Sequence, residues 1–256
     1  MSVTTPAVAP STEVALLIDF DNLYPRGHET PEELVVRLNH WASLAIETVP
    51  TVDTVNIRLY GGWLEDGVLT RAASELISKI PRDFFPLTGK ATAANRLIRG
   101  TVDLASRLVG VPGIQWNHTF RSRRGLPQLR LADKPRPEAC VKADSCPIDL
   151  VQRISRRSTR QCHINGCPVH NDSAFLIREQ KMVDVLLACD AIEFARRGVH
   201  IVVMSNDLDL LPSVVTTASC SSASVTLVRG AEAGTDNLYA EALESIGVDL
   251  IDLQAA

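Results

Sequence analysis

Two Asp-x-Asp pairs carry the chemistry that this sequence of 256 residues most readily suggests. Asp19 and Asp21 follow the apolar run Val14-Ala15-Leu16-Leu17-Ile18, and Asp207 and Asp209 lie just past His200-Ile201-Val202-Val203-Met204. Apolar runs of this length, rich in Val, Ile and Leu, read as strands buried on both faces of a parallel sheet. Two such strands in one sheet deliver both pairs to the same edge, so four carboxylates converge. Crowded carboxylates raise one another's pKa unless a cation neutralises them, and Mg2+ or Mn2+ accepts such hard oxygen ligands. A lone Asp after a strand is as readily a solvated cap, but two pairs after two core strands favour a divalent-metal site. A third place for chemistry is Lys181-Met182-Val183-Asp184-Val185-Leu186-Leu187-Ala188-Cys189-Asp190, an apolar-dominated stretch read as helix. Lys181 and Asp184, three apart on one helical face, either pair with each other at a solvent edge or point into the site.

The cysteines suggest a second metal. Four of the six, Cys140, Cys146, Cys162 and Cys167, lie near His163 and His170. In a reducing compartment this favours a metal site over a disulfide framework. Six such ligands are offered where a structural Zn2+ takes four, with Gly166 and Pro168 suited to a tight ligand-bearing turn. A loop with reduced cysteines is the alternative, although a segment poor in core residues gains most from a metal staple. Cys189 and Cys220 read as small buried hydrophobes.

Charge is unevenly spread. Between Arg121 and Arg160 stand 11 basic and 4 acidic residues, a local charge of +7 in a chain of net charge -4, which leaves -11 for the rest. The net charge alone gives no reason to expect a nucleic-acid binder, but an acidic metal site needs positive surroundings to attract a polyanion. Arg121, Arg123, Arg124, Arg156, Arg157 and Arg160 are the candidate RNA-binding residues. Trp116 and Phe120 read as core residues at a strand end more than as base-stacking platforms.

The elements that must position these residues follow from periodicity and turn signals. Residues 1–12, rich in Pro, Ser, Thr and Ala, read as a disordered tail. Thr30-Pro31-Glu32-Glu33 has the form of a capping box and opens a helix through about Glu47. Residues 55–60 read as a strand, 67–79 and 92–108 as helices, and 113–117 as a third strand. Periodicity collapses over residues 118–173, which read as an insertion or small metal-stapled module. A long helix from 174 through 197, a strand at 200–204, a helix after Asp209, a strand near 224–228, a helix near 238–245 and an edge strand at 248–253 complete the pattern. The expected fold is an open α/β sheet flanked by helices, with chemistry at the carboxyl ends of its strands. At 45% apolar and 22% charged residues the chain can bury such a core. No apolar run reaches the roughly 20 residues of a membrane span, and the opening residues lack the basic and apolar regions of a signal peptide, so the expected location is cytoplasmic.

Asp19-Phe20-Asp21-Asn22, Lys181-Met182-Val183-Asp184-Val185 with Asp190, and Ser205-Asn206-Asp207-Leu208-Asp209-Leu210-Leu211-Pro212 together resemble, in family order, the three signatures of NYN-domain proteins, the PIN-like family of metal-dependent ribonucleases. The resemblance spans most of residues 14–253 and leaves the cysteine-bearing stretch outside the common core. It implies an open, mostly parallel PIN-like (Rossmann-like) domain over residues 13–256, interrupted by the Cys/His-rich, Arg-rich insertion. It also implies Mg2+ or Mn2+ held by Asp19, Asp184, Asp207 and Asp209, with Asn22 and Ser205 orienting water or phosphate. Asp21 would support the loop or bind a second ion, and Lys181 would tune the helix carboxylate or contact phosphate. Asp190, six residues after Asp184 and so about 240° around the helix, would anchor a neighbouring loop instead. Asn206 departs from the Gly often found there; its side chain would tighten the loop or narrow access. The order Cys146, Cys162, Cys167, His170, with Cys140 and His163 as alternates, is similar to a CCCH zinc finger, although two residues instead of three separate Cys167 from His170.

The implied activity is hydrolysis of RNA phosphodiesters, in which one or two bound ions activate water and stabilise developing charge. Single-stranded DNA is an alternative substrate for the same chemistry. Two other readings compete: a non-catalytic RNA-binding or interaction module of the same fold, and a haloacid-dehalogenase-like phosphatase. The phosphatase pattern wants Thr or Val at the position of Leu23 and lacks its matching Ser/Thr-then-Lys arrangement.

Overall fold

The computed structural model describes residues 12–23, 30–88, 97–124, 176–230 and 239–253. The chain divides into two compact units, Met1–Phe120 with Gln180–Ala256, and Arg121–Glu179. The carboxylates all belong to the first. Cys140, Cys146, Cys162, His163, Cys167, His170, Arg156, Arg157 and Arg160 lie outside the described residues, as does the expected tail up to residue 11.

The first unit is built on a seven-stranded sheet. Its order is β13 (Val248–Asp252), β12 (Val225–Arg229), β11 (His200–Met204), β1 (Glu13–Asp19), β2 (Thr54–Tyr60), β6 (Leu97–Leu104) and β5 (Leu87–Thr88). All neighbours pair in parallel except the short β5, which runs antiparallel to β6. Numbered along the chain, the six parallel strands run 6-5-4-1-2-3, a doubly wound order that reverses between β1 and β11. In β1, Val14, Leu16 and Ile18 face one core while Ala15 and Leu17 face the other, which is why its sequence reads as an unbroken apolar run. Helices α2 (Pro31–Thr48) and α3 (Arg71–Lys79) cover the first face. Helices α4 (Val183–Arg196), α5 (Leu211–Cys220) and α6 (Ala240–Ser245) cover the second; the one-turn α1 (Phe20–Leu23) follows β1 directly. None of the described helices is long and apolar enough to cross a membrane.

The capping box before α2 forms as the sequence predicts: Glu33 N donates to Thr30 Oγ1 at 3.2 Å and Thr30 N to Glu33 Oε2 at 2.8 Å. Removing the cap with Thr30→Ala is expected to cost about 1 kcal/mol, read as a lower midpoint in chemical unfolding with an unchanged slope.

Several elements differ from the sequence reading. The region expected as helix over 92–108 holds strand β6 at Leu97–Leu104, where Ile98, Val102 and Leu104 alternate inward against the open edge of β2. β-branched residues and Gly100 disfavour a helix there, and an unpaired edge supplies the backbone partners. Helix α3 starts at Arg71, not at 67, because β3 (Leu64–Glu65) and β4 (Val68–Leu69) form a hairpin first. Its turn, Asp66-Gly67, has φ of 52° and 79°, the positive pair that a two-residue hairpin turn requires. The expected third strand, β8 (Val111–Gln115), pairs with β7 (Arg107–Leu108) in a separate hairpin and stays outside the main sheet. The long helix from 174 is split: β10 (Leu176–Gln180) pairs with β9 (Phe120–Arg124), and α4 begins only at Val183. Cys189 and Cys220 are exposed, not buried. Cys189 falls outside the stripe of Leu186, Leu187, Asp190, Ala191 and Phe194 by which α4 meets the core, and Cys220 is the last residue of α5.

Candidate metal centre

The reversal of strand order places the carboxyl ends of β1 and β11 side by side, with Ile18 and Met204 in register. In an open α/β sheet the crevice at such a reversal is where ligands bind. Asp19 ends β1, and Ser205 and Asp207 leave β11. The third wall comes from α4, which presents Asp184 in its first turn, where the positive end of the helix dipole favours a carboxylate. The turn into this helix is made by Met182 in the left-handed region, φ 63° and ψ 1°. Carboxylate oxygens of Asp19, Asp184 and Asp207 all lie within 4.8 Å of one another.

Asp19 is 1% exposed, and its two oxygens have different surroundings. Oδ2 accepts from Ser205 Oγ at 2.6 Å and from Asn22 Nδ2 at 2.7 Å. Oδ1 is buried and has no hydrogen-bond partner among the described residues. An orphaned, buried carboxylate oxygen is costly unless something positive meets it. Ser205 Oγ in turn accepts from Asp207 N at 3.0 Å, and Asp207 Oδ1 accepts from Asp209 N at 2.8 Å, so the loop after β11 is organised around the Asp19 carboxylate. Burial pushes the Asp19 carboxyl above the ordinary value of 3.8 against the hydrogen bonds of Ser205 and Asn22, and the charges of Asp184 and Asp207 push it further. Asp184 is raised too, by burial first and then by Asp207 and Asp209. Carboxylate oxygens from a buried Asp19, a half-buried Asp207 and an exposed Asp184, crowded at one edge, are donors of the kind that a hard divalent cation takes. Asp19, Asp184 and Asp207 could therefore hold a metal ion.

The other candidates have separate places. Asp209 is exposed in the 3-10 turn Leu208–Leu210; it bears on the site by raising Asp184, while the three oxygens that approach closely come from other residues. Asp21 turns away: its Oδ2 accepts from Gly62 N at 2.9 Å and from Gln180 Nε2, holding the loop after β2 to the end of β10. Asp21→Ala is expected to cost about 1–2 kcal/mol of stability while Mn2+ still binds. Thermal unfolding with and without Mn2+ separates that outcome from loss of a metal ligand. Lys181 precedes α4, so the same-face helical spacing to Asp184 does not apply; its backbone N donates to Thr119 O at 3.0 Å. Asn206 tightens its loop by accepting from Gly230 N at 2.6 Å. Asp190 anchors a neighbouring segment, accepting from Val109 N in the β7–β8 turn at 2.7 Å. Trp116 packs against the second core, and Phe120 is half-buried close to Gly62. Arg121, Arg123 and Arg124 lie in β9, with Arg121 exposed.

Sequence reasoning misses Gln180, which holds Asp21, and the partners that Arg58 and Tyr60 make with Asp190. The alternation of Asn56, Arg58 and Tyr60 along β2 marks a polar face, but nothing local ties it to a helix 130 residues away. No protein-family model matches this sequence, and no curated protein or solved structure matches it.

Proposed function

We propose that this chain is a divalent-metal-dependent nuclease that hydrolyses RNA phosphodiester bonds. The observation that carries the reading is the approach of carboxylate oxygens of Asp19, Asp184 and Asp207 to within 4.8 Å of one another, at an Asp19 whose Oδ1 is buried without a hydrogen-bond partner among the described residues. These three residues would hold Mg2+ or Mn2+, and Asp209 would add to the negative field at Asp184. A bound ion supplies a lowered pKa for water and an opposing charge for the phosphoryl oxygens as they become more negative.

The protein's own contribution is preorganisation. Ser205 and Asn22 fix Asp19 through Oδ2, which restrains rotation of the carboxylate and leaves Oδ1 without a hydrogen-bond partner among the described residues. Asp207 is tied to the same hydroxyl through its backbone, so the two carboxylates at the strand ends move as a unit. The sequence carries a net +7 between Arg121 and Arg160, a charge suited to a polyanion.

The test is cleavage of a mixed panel of RNA and single-stranded DNA by the full chain, with Mn2+ and with chelator. Mn2+-dependent cutting of RNA supports the reading; cutting confined to DNA corrects its substrate. RNA bound at low salt but left intact at every metal concentration would sink it in favour of a non-catalytic module.

A further inference from the structure

We infer that Tyr60, Arg58 and Asp190 form a positioning clamp that sets the helix carboxylate Asp184 against the strand carboxylate Asp19 and so governs how tightly the centre holds a divalent cation. The inference rests on the metal reading above and concerns residues other than the three candidate ligands. Asp190 and Tyr60 are both fully buried. The Tyr60 hydroxyl donates to Asp190 Oδ2 at 2.8 Å, and the Arg58 guanidinium lies 3.2 Å from the same oxygen. Arg58 also donates to the Tyr60 hydroxyl at 3.3 Å and to the backbone carbonyl of Arg107 at 2.6 Å. The other Asp190 oxygen takes the Val109 amide, so the carboxylate is held by three residues from two separate segments, β2 and the β7–β8 turn.

The places of these residues give the network its consequence. Tyr60 is the register partner of Asp19 on the neighbouring strand. Asp190 lies on the helix that carries Asp184, six residues or about 9 Å further along its axis. A chain of directional contacts thus runs from the sheet edge bearing one candidate ligand to the helix bearing another. Leu186, Leu187, Ala191 and Phe194 seat α4 on the sheet through contacts that are individually non-directional. Hydrogen bonds weaken steeply with misalignment, and a buried carboxylate displaced from its donors has no water to turn to. The polar clamp therefore adds a directional restraint on the slide and roll of α4. A hard cation requires its oxygens within a few tenths of an ångström of about 2.0–2.6 Å, so small errors in helix placement reach it directly.

The test measures Mn2+ affinity of the full chain by electron paramagnetic resonance for the wild type, Tyr60→Phe and Arg58→Lys. A control, Leu38→Ala, opens a cavity in the other core. Tyr60→Phe is expected to weaken Mn2+ binding about tenfold, the scale of losing a supporting contact behind metal ligands. Arg58→Lys, which keeps the charge and loses the fork, is expected to weaken it less and reports the same quantity should Tyr60→Phe fail to fold. Leu38→Ala is expected to lower thermal stability and leave the affinity unchanged. Wild-type affinity in the folded clamp variants, or an equal loss in Leu38→Ala, overturns the clamp and leaves the metal reading standing. No Mn2+ binding by the wild type overturns the metal reading, and the clamp with it.

Discussion

Replacing Asp184 and Asp207 together by Asn is expected to reduce Mn2+-dependent RNA cleavage by at least about 10³-fold while the protein keeps its fold. Removing a single preorganised stabiliser of transition-state charge typically costs about 10²–10³, and this pair supplies two of the three close oxygens. The fold should survive because neither side chain holds the core together. Asp184 is exposed in the first turn of α4, and Asp207 uses its carboxylate to cap Asp209 N, a role that Asn also fills. Relieving repulsion at the crowded edge should leave the metal-free variant at least as resistant to heat as the metal-free wild type. Circular dichroism melting and a chelator-controlled cleavage assay read the two halves. Cleavage within tenfold of wild type by a well-folded double variant would remove Asp184 and Asp207 from the chemistry.

The second large effect expected is stabilisation by Mn2+ that fades as pH falls. A ligand that binds only the folded state at about 100 times its Kd adds about 2.7 kcal/mol. For a domain of this size that is a rise in Tm of about 5–10 °C. Asp19 and Asp184 are both raised above the ordinary carboxylate value, so the folded protein takes up their protons before the unfolded chain does. In the absence of metal, their contribution to stability is fully present below the unfolded value of 3.8 and is lost as pH rises through the higher folded values. Near neutral pH both are charged and unneutralised, and this is where a cation offsets most. Toward acid, protons compete with Mn2+ for the same oxygens, so the metal-induced shift shrinks. Melting curves with and without Mn2+ at about pH 7 and pH 5 should show the larger shift at neutral pH, and none in Asp184→Asn/Asp207→Asn. A shift of equal size at both pH values, or one retained by the double variant, would place the bound Mn2+ elsewhere.

Both expectations depend on a convergence of carboxylates that the amino-acid pattern makes legible. Two apolar runs ending in Asp-x-Asp are enough, because a buried parallel strand has a direction and its carboxyl end is the ligand-binding edge. The detail at that edge is less legible. Asp21 has the same residue type and nearly the same position as Asp19, yet it goes to Gly62 and Gln180. The difference is made by the loop after β2 and the end of β10, neither of which is near Asp21 in sequence. The apolar pattern puts Asp184 on a helix expected to begin near 174; the helix begins nine residues later, after a left-handed Met182.

Local sequence is sufficient for the α/β architecture, the capped α2, and the two buried strands that deliver Asp19 and Asp207 to the carboxyl edge of a sheet. Each of these is written in short-range periodicity and turn chemistry, which dictate what is buried and which way a segment points. Long-range contacts were needed to make residues 97–104 a strand, to leave Asp19 with one orphaned oxygen while Asp21 has partners, and to grip Asp190 between Tyr60 and Arg58. An edge strand and a buried polar group are both defined by their partners. Those partners sit on segments tens of residues away, where no local pattern names them.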